Sequence, residues 1–277
     1  MSIITARQKH RYLKEGYLIL KSTRIRTLKN RLKRDLKNMA LRIIKNHPAG
    51  AAYFNGLKNK SFAVIFDWCI KNEKNNVITR AFYELFPVNF STLSLIADPF
   101  FTEVSKSLGV SYPLPSTLPI LRIDRPHELL YLTPAHQDYW YSMLSDNALT
   151  YWFPVFPVTK AMGRLIVVPG SHGQGILPIK KWTDENPFCL RDEIPADKYV
   201  SVNLEDDEVL VFSQFLVHQS GVNRSEFARL TLQVRHNDLT TLKEQTTSFT
   251  PKYSMYTAKA QKDWFEKSQI PVRAIHA

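Results

Sequence analysis

The chain has 277 residues, with 37 Lys and Arg against 25 Asp and Glu, a formal charge of +12. Residues 1–50 carry 14 of those basic residues and two acids, which is the whole surplus, while residues 51–277 carry 23 of each sign. A fold that is basic throughout is thereby excluded and no nucleic-acid partner is expected, and a chain 44% hydrophobic and 22% charged is neither disordered nor fibrous.

Cys69 and Cys189 lie far apart in no metal-binding spacing, which suits a reducing compartment. Charges at Arg7, Lys9, Arg11, Lys14 and Glu15 leave no apolar leader core, and no apolar run approaches the ~20 residues of a spanning helix. A cytoplasmic protein is expected.

From Ser22 to Asn46, Ile25, Leu28, Leu32, Leu36, Met39 and Ile43 recur at helical spacing, and Pro48 stops the helix. Its other faces carry Arg24, Arg26, Lys29, Arg31, Lys33, Arg34, Lys37, Arg42 and Lys45 with only Asp35 to offset them. Three readings stay open: a solvated face over a docked helix, attraction to an anionic membrane surface or glycoconjugate through residues 22–46, and, with no aromatic stacking platform in its support, nucleic acid. Further helices are expected over Phe62–Lys71 and Val77–Leu85.

From Leu118 short β-type runs follow: Leu118–Ile123, Glu128–Thr133, Ala148–Val158, Arg164–Pro169, Tyr199–Val202, Glu208–Val217 and Arg229–Arg235. This density points to an antiparallel sandwich or barrel. The loop from Gly170 to Lys198 is a candidate lid, and a helix is expected over Tyr256–Lys267. Without repeats or linkers, residues 1–277 read as one α+β domain, mainly β in its core: a helical part over about 1–100, a β core over about 115–240 and a C-terminal helical part over about 251–277.

His136 and Asp138 are two residues apart, so on extended chain they point the same way and offer two ligands of a facial triad. The spacing recurs in His236 and Asp238, expected as a surface feature. His218, where the run Glu208–Val217 ends, can close the triad. In Arg229–Arg235 the strict alternation either turns Arg229 and Thr231 toward the site, where they suit a dicarboxylic acid, or lays a polar edge in water. Tyr139, Trp140 and Tyr141 can wall a substrate pocket or pack as core, and Arg122 can meet an anionic substrate.

The segments Ala135-His136-Gln137-Asp138-Tyr139, Val168-Pro169-Gly170-Ser171-His172 and His218-Gln219-Ser220-Gly221-Val222-Asn223-Arg224-Ser225, followed by Arg229, resemble the phytanoyl-CoA dioxygenase family of Fe(II)- and 2-oxoglutarate-dependent oxygenases. Arg11–Tyr17 is weakly similar to that family's helix-into-strand start. The resemblance implies a double-stranded β-helix (jelly roll) beneath the N-terminal helical layer, with His136, Asp138 and His218 as iron ligands. It implies that Arg229 grips 2-oxoglutarate and that Gln137, Trp152 and Ser220 line its pocket; with Arg229 facing the site, Arg229→Ala is expected to weaken that binding far more than Arg235→Ala. His172 reads as structural.

With Asp138 present, hydroxylation of a C–H bond is implied, using O2 and releasing succinate and CO2, with ascorbate as reductant. The substrate classes weighed are a lipid-linked or glycoconjugate sugar at the inner face of a membrane, a soluble biosynthetic intermediate, and an acyl-CoA. The readings from other classes are a catalytically silent jelly-roll binding module and a peripheral membrane or RNA-binding protein.

Overall fold

Side-chain alternation in the strands sorts the protein into layers. The computed structural model describes residues 3–46, 50–72, 77–115, 119–129, 132–142, 145–180 and 189–241. They lie in one compact unit, Met1–Thr241, and the expected helix Tyr256–Lys267 lies outside the described residues. The helices are α1 (Ala6–Glu15), α2 (Thr23–Asn46), α3 (Phe54–Leu57), α4 (Phe62–Lys71), α5 (Val77–Leu85), α6 (Phe90–Ile96), α7 (Pro99–Ser107) and α8 (Tyr139–Ser142). The strands are β1 (Tyr17–Lys21), β2 (Pro113–Pro115), β3 (Ile120–Asp124), β4 (Leu149–Pro154), β5 (Leu165–Val167), β6 (Ile179–Lys180), β7 (Cys189–Leu190), β8 (Val200–Ser201), β9 (Glu208–Ser213), β10 (His218–Ser220) and β11 (Arg229–Asp238).

A six-stranded antiparallel sheet runs β1-β9-β4-β11-β2, with β3 also on β11, and the strands β10-β5-β8 form a smaller sheet. In β4, Leu149, Tyr151 and Phe153 pack with Ile65, Phe66, Phe101 and the α2 stripe, whereas Trp152 joins Leu165, Val167, Leu210 and Phe212. The large sheet therefore has two apolar faces, one under helices and one against the small sheet, the arrangement of a jelly roll. Burial on both faces explains why β4 is buried at all six positions.

Helix α2 sits one position away from its expected stripe. Ile25, Lys29, Leu32, Leu36, Ala40 and Ile44 are buried, while Leu28, Met39 and Ile43 are half-buried. The aliphatic stem of Lys29 packs inward and its ammonium lies 3.6 Å from Asp206, with burial holding its pKa down to about 8. Lys33 reaches Asp206 at 2.6 Å, Arg26 reaches Asp207 at 2.5 Å and Arg24 reaches Asp98 at 2.6 Å. Much of the basic character of the helix's first half is thus spent on docking, which the solvated-face reading did not foresee. No helix among the described residues is long and apolar enough to cross a membrane.

Two connections position the site. The left-handed Gly16 (φ +79) ends α1, and a Cβ there would lie 2.4 Å from His172 Nδ1, so the Pro-Gly-Ser-His turn clamps the α1–β1 junction. The segment Glu128–Thr133, expected as a strand, carries none among its described residues. The chain turns at His127 (φ +58), and the Leu132 N–H bonds to the Leu129 carbonyl at 3.0 Å. Helices α6 and α7, each started by an Asn or Asp side-chain cap, were not expected from the pattern.

Candidate metal centre

His136 and His218 face each other as an isolated antiparallel bridge, exchanging both backbone hydrogen bonds at 3.0 Å. Their rings lie 4.2 Å apart, and both Nε2 atoms are 3.9 Å from Asp138 Oδ1. One ligand atom from each of the three residues falls within 4.8 Å of the others, and all three side chains are buried. Each imidazole is oriented from behind. His136 Nδ1 lies 2.7 Å from the Pro134 carbonyl and His218 Nδ1 lies 3.0 Å from the Leu216 carbonyl. A carbonyl can only accept, so each Nδ1 carries the proton and each Nε2 presents its lone pair.

The charges suit a cation. Burial, reinforced for His136 by the neighbouring His218 ring, lowers both imidazoles from their usual value, His136 to about 3, and so favours their neutral forms. Burial alone would raise the Asp138 carboxyl, but Arg235, the two imidazoles and the Thr150 hydroxyl outweigh it and keep the group ionised. Thr150 donates to Oδ2 at 2.5 Å and Arg235 to Oδ1 at 2.7 Å. Two neutral imidazoles and one carboxylate form the donor set of a facial triad for ferrous iron.

A pH dependence follows. His136 and His218 have depressed pKa values in the fold, and burial lowers that of His236 to about 4. An unfolded chain takes up these protons near 6.5, so the stabilisation is complete above that pH and is lost as pH falls below it. Asp138 adds a loss only at lower pH, below the ordinary carboxylate range. In metal-free protein the unfolding free energy read from the urea midpoint is expected to fall between pH 7.5 and pH 5, by about 2 kcal/mol for each imidazole that stays neutral. An unchanged midpoint would contradict the neutral histidines.

The second half of the site is on β11. Arg229, Thr231, Gln233 and Arg235 alternate with Leu230, Leu232, Val234 and His236, and the latter apolar residues pack under the helices. Arg229 is buried and donates to Asp124 Oδ2 from Nε at 3.0 Å and from Nη2 at 2.7 Å. Its Nη1 and the Thr231 Oγ1 are buried without a hydrogen-bond partner among the described residues. Arg122, opposite Thr231 in register, bonds Asp124 Oδ1 at 2.7 Å and Thr133 Oγ1 at 2.5 Å. Orphaned donors this deep are costly unless a ligand meets them, and a carboxylate fits both.

The other expected residues are placed unevenly. Trp152 stands on the inner face of β4 opposite Gln233, and Ser220 lies two residues beyond His218 on β10. Gln137 is turned away, contrary to its expected place in the pocket. Its amide donates to the Gly175 and Phe215 carbonyls at 2.8 and 2.7 Å and accepts from the Leu177 N–H at 2.9 Å. Residues that flank it share one face, so Gln137 takes the other, where it stitches the 170–180 loop to the His136 segment. Tyr139 stacks on Phe215 at 5.4 Å with Trp140 edge-on to it at 5.2 Å, and Tyr141 belongs to the same helix, α8.

His236 and Asp238 are not a surface pair. Both are buried, with His236 Nδ1 2.9 Å from Ser105 Oγ and Asp238 accepting from the Ser111 and Tyr112 N–H groups. The strand face that excludes His236 from the triad leads into the helical core, not to water. Asp124, Thr150 and Arg235 were missed. Arg235 shares the parity of Arg229, a signal present in the alternation itself, so it is part of the site and not a silent neighbour.

A jelly roll holding a His-Asp-His centre and a buried arginine defines an iron- and 2-oxoglutarate-dependent oxygenase. Residues 126–231 match the family model described as phytanoyl-CoA dioxygenase. It is 26% identical over 237 residues to the "Probable phytanoyl-CoA dioxygenase" of Caenorhabditis elegans, across 81% of this chain and 72% of that protein. It is 31% identical over 104 residues to the "1-deoxypentalenic acid 11-beta-hydroxylase" of Streptomyces arenae, across only 34% of this chain and 36% of the other. The epimerase SnoN, solved with Fe3+ and alpha-ketoglutarate, shares the fold at a TM-score of 0.54 and 18% identity, over 88% of this chain and 87% of its own.

Proposed function

We propose that the chain hydroxylates a C–H bond of a small organic substrate, with Fe(II) held by His136, Asp138 and His218 and 2-oxoglutarate held by Arg229 and Thr231. The balance is substrate, 2-oxoglutarate and O2 going to hydroxylated substrate, succinate and CO2, one oxygen atom entering each organic product. The bound iron supplies oxygen activation. The observation that carries the reading is the buried donor trio together with the two orphaned donors, Arg229 Nη1 and Thr231 Oγ1, on the inner face of the large sheet.

The protein's own groups bind, orient and exclude water. His136 and His218 present neutral Nε2 atoms because backbone carbonyls hold their Nδ1 protons, and Asp138 stays ionised beside Arg235. Asp124 is shared by Arg122 and Arg229, so Arg122 can keep it neutralised when Arg229 turns a donor to the co-substrate. Trp152 and Ser220 line the co-substrate side, while Tyr139 and Trp140 wall the substrate side. On this reading residues 1–277 are one oxygenase domain working in the cytoplasm, with ascorbate keeping the iron ferrous.

A soluble biosynthetic intermediate as substrate is supported by the likeness to a hydroxylase named for a small acid, and an acyl-CoA by the family's name. A glycoconjugate at the inner face of a membrane has only the basic faces of α2 in its support. The test is purified protein given Fe(II), ascorbate and 2-oxoglutarate. Slow succinate and CO2 formation in equal amounts, abolished by a chelator and restored by iron, is expected. No succinate, and no metal-dependent rise in melting temperature, would leave a silent binding module.

A further inference from the structure

Five basic residues of α2 have no carboxylate partner among the described residues, and all of them but the half-buried Lys37 lie together. At 100° per residue, the exposed Arg31, Arg34, Arg42 and Lys45 fall within about 80° on the helix, and none has an acidic partner among the described residues. Helix α6 runs antiparallel along this side. Ser91 at its start bonds Asp35, and Asp98 just past its end pairs with Arg24.

The corner from α5 into α6 is apolar and outward-facing. Phe90 is 82% exposed and Val88 61%, with Leu85 and Leu93 also exposed. Single exposed apolar residues are ordinary, but four within nine residues form a patch. The one acid of the α2 stripe's flank, Asp35, is tied to Ser91, and Glu84 on α5 is paired with Arg80 at 2.7 Å. The surface is thus cationic and apolar at once.

We propose that this corner is a docking surface for an anionic lipid bilayer, with Phe90 and Val88 reaching the headgroup boundary and Arg31, Arg34 and Arg42 meeting lipid phosphates. Interfacial binding needs this pairing of apolar insertion with cationic attraction. A nucleic acid would want stacking rings, whereas three of the four apolar residues are aliphatic. A second copy placed isologously would set this stripe against itself, with like charges opposed. The inference extends the surface reading of α2 and is independent of the oxygenase reading, since none of these residues is in the site.

The experiment sediments the full-length protein with vesicles of phosphatidylcholine alone and with added phosphatidylglycerol. Binding is expected only to the anionic vesicles, weakening with salt. The double variant Arg31→Ala/Arg42→Ala should loosen partition by about 25-fold, from about fivefold per arginine. Phe90→Asp should abolish it, with succinate formation unchanged in both variants. Three outcomes overturn the proposal: no sedimentation with anionic vesicles, full retention by either variant, or displacement from vesicles by single-stranded RNA that the same variants cease to bind. A failed oxygenase assay with intact vesicle binding would leave the proposal standing.

Discussion

His136→Ala is expected to reduce iron-dependent succinate formation by more than about 100-fold in protein that still folds. Groups that merely hold a metal ligand in place cost about 10–100-fold when removed, so loss of the ligand itself should exceed that range. The comparison that makes the result specific is His236→Ala, the same residue type in the same His-x-Asp spacing. His236 packs under the helices on Ser105, so its loss should cost about 1–3 kcal/mol of stability while the folded fraction turns over normally. Equal turnover in wild type and His136→Ala would remove the triad from the chemistry.

Arg229→Leu is expected to weaken 2-oxoglutarate binding by about 100-fold, from about 1.5–3 kcal/mol for each charge-assisted hydrogen bond lost. Isothermal titration of nickel-loaded protein with 2-oxoglutarate measures it. Removing one partner of a buried ion pair ordinarily threatens the fold, but Asp124 keeps Arg122 at 2.7 Å, so the variant should remain folded. A change below about threefold would place the co-substrate elsewhere. The contrast with Arg235 now has a different meaning: its guanidinium is bound to Asp138, so an Arg235 variant perturbs the metal centre and cannot serve as the inert control.

The parts legible in the sequence were those whose pattern is local. The extent of α2, the alternation of β11 and the two-residue spacing of His136 and Asp138 can each be read from neighbours alone. What escaped depends on pairing across the chain. Lys29 reads as a surface cation until Asp206, 177 positions later, supplies its partner. Thr150 becomes a brace for Asp138 only because register sets it opposite Arg235. His236 was rightly kept from the metal yet wrongly sent to water, because alternation tells which residues share a face but not what covers the other one. Helices α6 and α7 were hidden by short length and by Ser, Thr and Phe runs of weak helical preference.

The two faces of β11 answer to different demands. Leu230, Leu232, Val234 and His236 meet the helical layer, while Arg229, Thr231, Gln233 and Arg235 meet the catalytic interior. Drift in the helices can be absorbed at the first set by repacking, without disturbing the spacing between the two arginines. A lineage could therefore remodel its N-terminal layer, and with it the address at which it works, while the reaction is inherited intact.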